Sequence, residues 1–149
     1  MVVPDVTFIA TANAVTLAGA TPVFVDVDPA TLTLSPAAFE AAITPRTRAV
    51  IPVHVSGRAA AIERIIEIAD ASGIAVIEDA AEALRSKHNG RCLGTFGRTG
   101  CFSFSPNKTI TTGQGGLIVT DDQSTRRQQQ YPFSPTDKLV IVLSVARVS

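Results

Sequence analysis

The chain has 149 residues, 46% hydrophobic and 17% charged, with 13 basic residues balanced by 13 acidic ones. This composition suits one globular domain with a real core, and it argues against a disordered chain or a basic nucleic-acid surface. Cys92 and Cys101 are too few for a disulfide framework, no basic-then-apolar leader opens the chain, and the apolar run Leu139 to Val145 is too short to span a bilayer. The expectation is a cytoplasmic protein without membrane or nucleic-acid partners.

Val2 to Phe8 is a short apolar opening that holds Pro4 and Asp5. Thr11 to Ala18 reads as a short helix, with Gly19 suited to the left-handed position that follows one. Pro22 to Asp28 is an apolar strand; Asp26 and Asp28 end it and face solvent, and no metal site is expected there. Ser35 before Pro36 makes an N-cap followed by a first-turn proline, and the helix runs to about Ile43. Ala49 to Val53 is a buried strand, with His54 and Gly57 at its carboxyl end. A lone histidine there suits a packed, hydrogen-bonded residue; a general base or ligand is the alternative.

Ala60 to Ala71 is an amphipathic helix with Ile62, Ile65, Ile66 and Ala69 on one face, and Gly73 ends it. Ile74 to Glu78 is the next buried strand, and Asp79 stands at its carboxyl end. This strand–helix–strand rhythm predicts right-handed crossovers and a parallel sheet. Leu84 to Gly100 reads as a hairpin and loop centred on Asn89-Gly90. A short aromatic strand then leads to Lys108, and Leu117 to Thr120 forms the final strand before Asp121-Asp122.

Lys108 sits among apolar, small and hydroxyl side chains, a setting in which an amine gives up its proton more easily and becomes a nucleophile. A solvated surface lysine is the competing reading. Ligands in open α/β sheets bind beyond the carboxyl ends of the strands, so Asp79 and Lys108 could both reach such a crevice. A lysine that holds an aldehyde, paired with an acid that keeps a ring nitrogen protonated, suits pyridoxal 5'-phosphate.

Six stretches carry a family resemblance: PDVTFIATANAV, GATPVFVDVD, ITPRTRAVIPVHVSG, VIEDAAEA, GTFG and CFSFSPNKTITTGQGG. Together and in this order they resemble the DegT/DnrJ/EryC1/StrS family of pyridoxal-phosphate-dependent sugar aminotransferases, from about Val3 to about Asp122. The resemblance implies an α/β fold: an aspartate-aminotransferase-like large domain (pyridoxal-phosphate fold type I), mostly parallel with flanking helices, and incomplete. Residues 1–122 would be the central part of that domain. Residues 123–149 would be an atypical tail, expected to be a truncated or frameshifted end.

By resemblance, the catalytic pair is Lys108, as the Schiff-base lysine, and Asp79, as partner of the pyridinium nitrogen. Ser103, Glu82 and Phe8 complete the cofactor-binding set: Ser103 for the phosphate, Glu82 against the ring and Phe8 stacked upon it. His54 and Asn107 stand in the layer around them. The implied partners are a nucleotide-linked keto sugar and an amino donor, glutamate, with a homodimer or a complementary chain completing the site. Arg85 departs from the small residue usual in the family, and it could crowd the site or pair with Glu82. Gly113, Gly115 and Gly116 serve positive φ and close backbone approach, or cradle a phosphate. Two other readings stand beside this one: an inactive aminotransferase fragment, and a small α/β binding module without cofactor chemistry.

Overall fold

A computed structural model describes residues 1–122, Thr125 and the backbone of 140–143. Its elements are β1 (Val2–Pro4), α1 (Ile9–Leu17), β2 (Val23–Val25), α2 (Pro36–Ala41), β3 (Ala49–Val50), α3 (Ile62–Ala71), β4 (Ala75–Asp79), β5 (Lys87–His88), β6 (Arg91–Cys92), β7 (Thr99–Ser103), β8 (Gly116–Val119) and β9 (Val140–Leu143). Seven strands form one sheet in the order β2-β1-β3-β4-β7-β8-β9. Every neighbouring pair is parallel except β7 and β8. The mostly parallel α/β sheet expected from the sequence is therefore present.

Strand alternation sends successive side chains to opposite faces. Val2, Val25, Val50 and Val76 pack with Leu34 and Phe39, and with Ile62, Ile65 and Ile68 of α3. Val3 and Ile51 point the other way and pack with Val15 of α1. Helices thus cover both faces, although α1 covers its face thinly. It buries Thr11, Ala12 and Val15, while Ile9 and Leu17 are 63% and 88% exposed.

Several boundaries differ from the sequence reading. Helix α1 starts at Ile9, two residues before Thr11, and Phe8 takes the N-cap position without a side-chain cap. Helix α2 is capped as expected, since Ser35 Oγ accepts from Ala38 N, but it ends at Ala41. The strand expected over Ala49 to Val53 keeps a regular ladder only at Ala49–Val50, because Pro52 has no N–H to donate. Val53 makes an isolated bridge to Asp79 instead. Helix α3 starts at Ile62 rather than Ala60, because Ala61 has a non-helical ψ of 60°; the Ala60 N–H donates to His54 Nδ1 at 3.1 Å. Its buried face is Ile62, Ile65, Ile68 and Ala69, and Ile66 lies at the flank.

Asn89 and Gly90 both take positive φ, 48° and 80°, so the β5–β6 hairpin turns as its sequence predicts. The strand expected to be last has a parallel neighbour in β9, drawn from the β-branched run near the end of the chain. Apart from Thr125, the rest of the expected tail lies outside the described residues.

Candidate active site

Strands β1, β3, β4 and β7 run parallel, so their carboxyl ends share one edge of the sheet. Phe8 follows β1, His54 follows β3, Asp79 ends β4 and Ser103 ends β7; Lys108 comes five residues later. The topology alone brings these sequence-predicted residues to one side of the molecule.

Glu78 and Asp79 are consecutive and face opposite sides of the sheet. Glu78 is completely buried on the side of α3. Its Oε1 accepts the backbone N–H groups of Phe96 (2.6 Å) and Gly97 (2.7 Å). Its Oε2 accepts from Gly94 N at 2.8 Å and lies 2.9 Å from His54 Nε2. The Ala60 N–H donates to His54 Nδ1, so that nitrogen carries no proton and Nε2–H is the donor to Glu78. The Gly94-Thr95-Phe96-Gly97 turn therefore wraps a carboxylate of its own chain. Sequence reasoning treated Glu78 only as a strand residue. The available signal was an acid at an inward position two residues after the buried Val76.

Asp79 projects to the α1 side. Its Oδ2 accepts a 2.6 Å hydrogen bond from Thr11 Oγ1, and its Oδ1 accepts the Ala81 N–H at 3.1 Å. Thr7 Oγ1 is in turn 2.8 Å from Thr11 Oγ1. Beside them is a cleft of about 200 Å³, lined by Ala10, Thr11 and Ala14 of α1, by Ile51, Ile77 and Asp79, and by Cys101 and Phe102 of β7. Cys101 is the register partner of Asp79 on the next strand. Burial, then the charges of Asp79 and Glu78, pushes its thiol up to about 11.

The Lys108 side chain is only 14% exposed, and its Nζ lies 3.5 Å from Glu82 Oε1. Glu82 Oε2 accepts the Ser56 N–H at 2.8 Å, which ties the loop after β3 to the loop after β4. Ser56 has a φ of 51° and Gly57 one of 78°, so this loop presents its N–H through left-handed backbone. Ser103 Oγ donates to Ser105 Oγ at 3.0 Å, and Lys108 N–H closes a turn onto Ser105 O at 3.0 Å. Asn107 is exposed. Phe8 is 71% exposed at the start of α1. Arg85 is exposed and has a φ of 65°. Gly113 and Gly115 take positive φ, and a Cβ on Gly116 would come within 2.9 Å of Phe102 O, so these glycines serve backbone geometry.

The sheet order and its flanking helices define an α/β protein with Asp79 at the carboxyl edge of its sheet and Lys108 in the loop after β7. The model of the DegT/DnrJ/EryC1/StrS aminotransferase family matches residues 1–131, and the chain belongs to that family. It is 50% identical to GDP-perosamine synthase of Caulobacter vibrioides over 122 residues, which is 82% of this chain and 33% of that protein. It is also 50% identical to the UDP-N-acetyl-3-dehydro-alpha-D-glucosamine 3-aminotransferase of Acidithiobacillus ferrooxidans over 129 residues, 86% of this chain and 35% of that one. Among solved structures, DesI in the presence of its TDP-sugar product superposes with a TM-score of 0.79 at 43% identity, over 81% of this chain and 31% of that one. The chain thus spans about a third of the length of these relatives. Among the described residues, no helix is long and apolar enough to cross a membrane.

Proposed function

We propose that this chain carries the lysine and the acid of a pyridoxal-phosphate-dependent aminotransferase that moves an amino group, from glutamate, onto a nucleotide-linked keto sugar. The observation that carries the reading is Lys108. It is a largely buried amine held by Glu82 at the same strand-end edge as the anchored carboxylate of Asp79. Family membership and the sugar-nucleotide relatives support the substrate class.

The residues present fit the cofactor. A mostly apolar cleft beside Asp79 suits a flat heteroaromatic ring, and a carboxylate at its polar end suits a ring nitrogen. When bound, pyridoxal phosphate supplies the carbonyl that holds the amine and the electron sink that stabilises a carbanion. Lys108 Nζ would hold it covalently and carry the proton during transfer. Asp79 would orient it by pairing with the ring nitrogen. Glu82 would steady Lys108, Ser103 would donate its hydroxyl to the phosphate, and Phe8 would cover the ring. His54, bonded to Glu78 on the α3 side, would act only by bracing the loop after β3, and the exposed Asn107 would act from the rim. The exposed apolar side chains of Phe8, Ile9 and Leu17 favour a site that is covered by a second copy or by a complementary chain.

The test is pyridoxal phosphate titration of the chain, followed by borohydride reduction and peptide mass spectrometry. The expected result is a visible band that reduction removes, with a cofactor-sized mass on the Lys108 peptide. No adduct on that peptide would overturn the reading for this chain. Amino transfer from glutamate to nucleotide-linked keto sugars then tests the substrate class.

A further inference from the structure

Asp79 is fixed by two donors from different parts of the chain. The Ala81 N–H comes from the turn that follows β4, and it holds Oδ1. The Thr11 hydroxyl comes from α1, 68 residues earlier, and it holds Oδ2 at 2.6 Å. Thr11 is 5% exposed and Asp79 is half-buried, so water has little access to the hydroxyl. Because Thr11 spends its proton on Asp79, its oxygen accepts from Thr7, 2.8 Å away. The two hydroxyls then form a polarised chain that ends on the carboxylate, and each bond strengthens the next.

We infer that Thr11 is a positioning residue. It locks the rotation of the Asp79 carboxylate and aims it along the cleft between α1 and β4. An Asp side chain has a broad, soft terminal torsion, and one donor alone leaves that torsion free to swing. The second donor, from an element outside β4, removes this freedom. It also makes the site depend on α1, which is otherwise thinly packed. The consequence for a ring bound against Asp79 rests on the aminotransferase reading; the Thr11–Asp79 link does not.

The experiment compares Thr11→Val, which keeps the shape and loses the hydroxyl, with Thr11→Ser, which keeps the hydroxyl, in the full chain. In protein without cofactor, the side-chain carboxyl ¹³C resonance of Asp79 is assigned by its loss in Asp79→Asn. It should move in Thr11→Val and return in Thr11→Ser; a resonance unmoved by Thr11→Val overturns the inference. With pyridoxal phosphate, Thr11→Val should bind roughly ten- to a hundredfold more weakly, as expected for a lost hydrogen bond to a charged group, and Thr11→Ser should recover most of that loss. Equal affinity and an identical visible band in Thr11→Val and wild type would overturn the positioning role even if the resonance moves. A wild-type chain that takes up no cofactor overturns the aminotransferase reading instead, and the resonance still decides the link between Thr11 and Asp79.

Discussion

His54 and Glu78 meet at 2.9 Å with neither side chain exposed to solvent. The pair joins the loop after β3 to β4, and Glu78 also gathers the backbone of residues 94–97. Removing the Glu78 carboxylate leaves His54 and three backbone N–H groups without their acceptor, and each buried donor left so costs about 1–3 kcal/mol. Glu78→Ala is expected to lose stability on that scale in urea unfolding. Glu78→Gln is not conservative, because both oxygens face donors and the amide group would point at one of them. Its expected cost is about 1–3 kcal/mol. A Gln variant with the wild-type midpoint would contradict this account.

Lys108→Ala should abolish any borohydride-reducible cofactor while leaving the fold intact, since its ion pair with Glu82 is long at 3.5 Å and Glu82 stays partly exposed to water. Mass spectrometry of the reduced protein checks the first point and far-ultraviolet circular dichroism the second. Reducible cofactor that persists in the variant would assign the covalent site to another lysine.

The two cysteines should separate by reactivity. Cys92 is exposed, whereas Cys101 is partly covered and its thiol is raised from 9.0 to about 11 by burial and by the neighbouring acids. The thiolate is the reactive form, so iodoacetamide at neutral pH should label Cys92 first and Cys101 only on unfolding. The same shift gives a pH dependence. The folded state favours the protonated thiol, so its contribution is complete below about pH 9.0 and is lost as pH rises toward about 11. Unfolding midpoints measured across that range should fall for wild type and fall less for Cys101→Ala.

Gly100→Ala should be strongly destabilising, because an added Cβ would land on the Gly94 carbonyl group. Gly73→Ala meets no neighbour but must hold a φ of 63°, so its cost is limited to backbone strain, roughly 1–2 kcal/mol. Comparing the two unfolding midpoints tests whether close packing between β7 and the Gly94 turn outweighs local strain. The prediction fails if Gly73→Ala is the worse of the two.

Much of the fold was legible because local chemistry and tertiary packing agree. Ser35-Pro36 caps α2, Asn89-Gly90 turns the hairpin, and the isoleucines of α3 face the core. Strand ends were less legible. The ladder through β3 is interrupted at Pro52, which a run of apolar residues hides. Lys108 and Glu82 meet at 3.5 Å in the loops after β7 and β4; the expectation for Glu82 came from the family resemblance, and that for Asp79 and Lys108 from their places near strand ends. The roles of Glu78 and Thr11 were hidden because each depends on a partner far away in sequence. Glu78 is bound by residues 94–97, and Thr11 by an acid 68 positions on. For Glu78 the local mark is its inward position two residues after Val76, which does not reveal its partners; Thr11 carries no such mark.

The two carboxylates of β4 also set a rule about length. Adjacent positions on a strand face opposite sides, so losing or gaining one residue between Val76 and Asp79 would exchange their surroundings. The acid meant for the cleft would be driven among the amides of the GTFG turn, and the buried anchor would swing into the cleft. A point substitution along β4 disturbs one environment at a time, whereas single-residue insertions and deletions there disturb both and should be absent from working descendants of this chain.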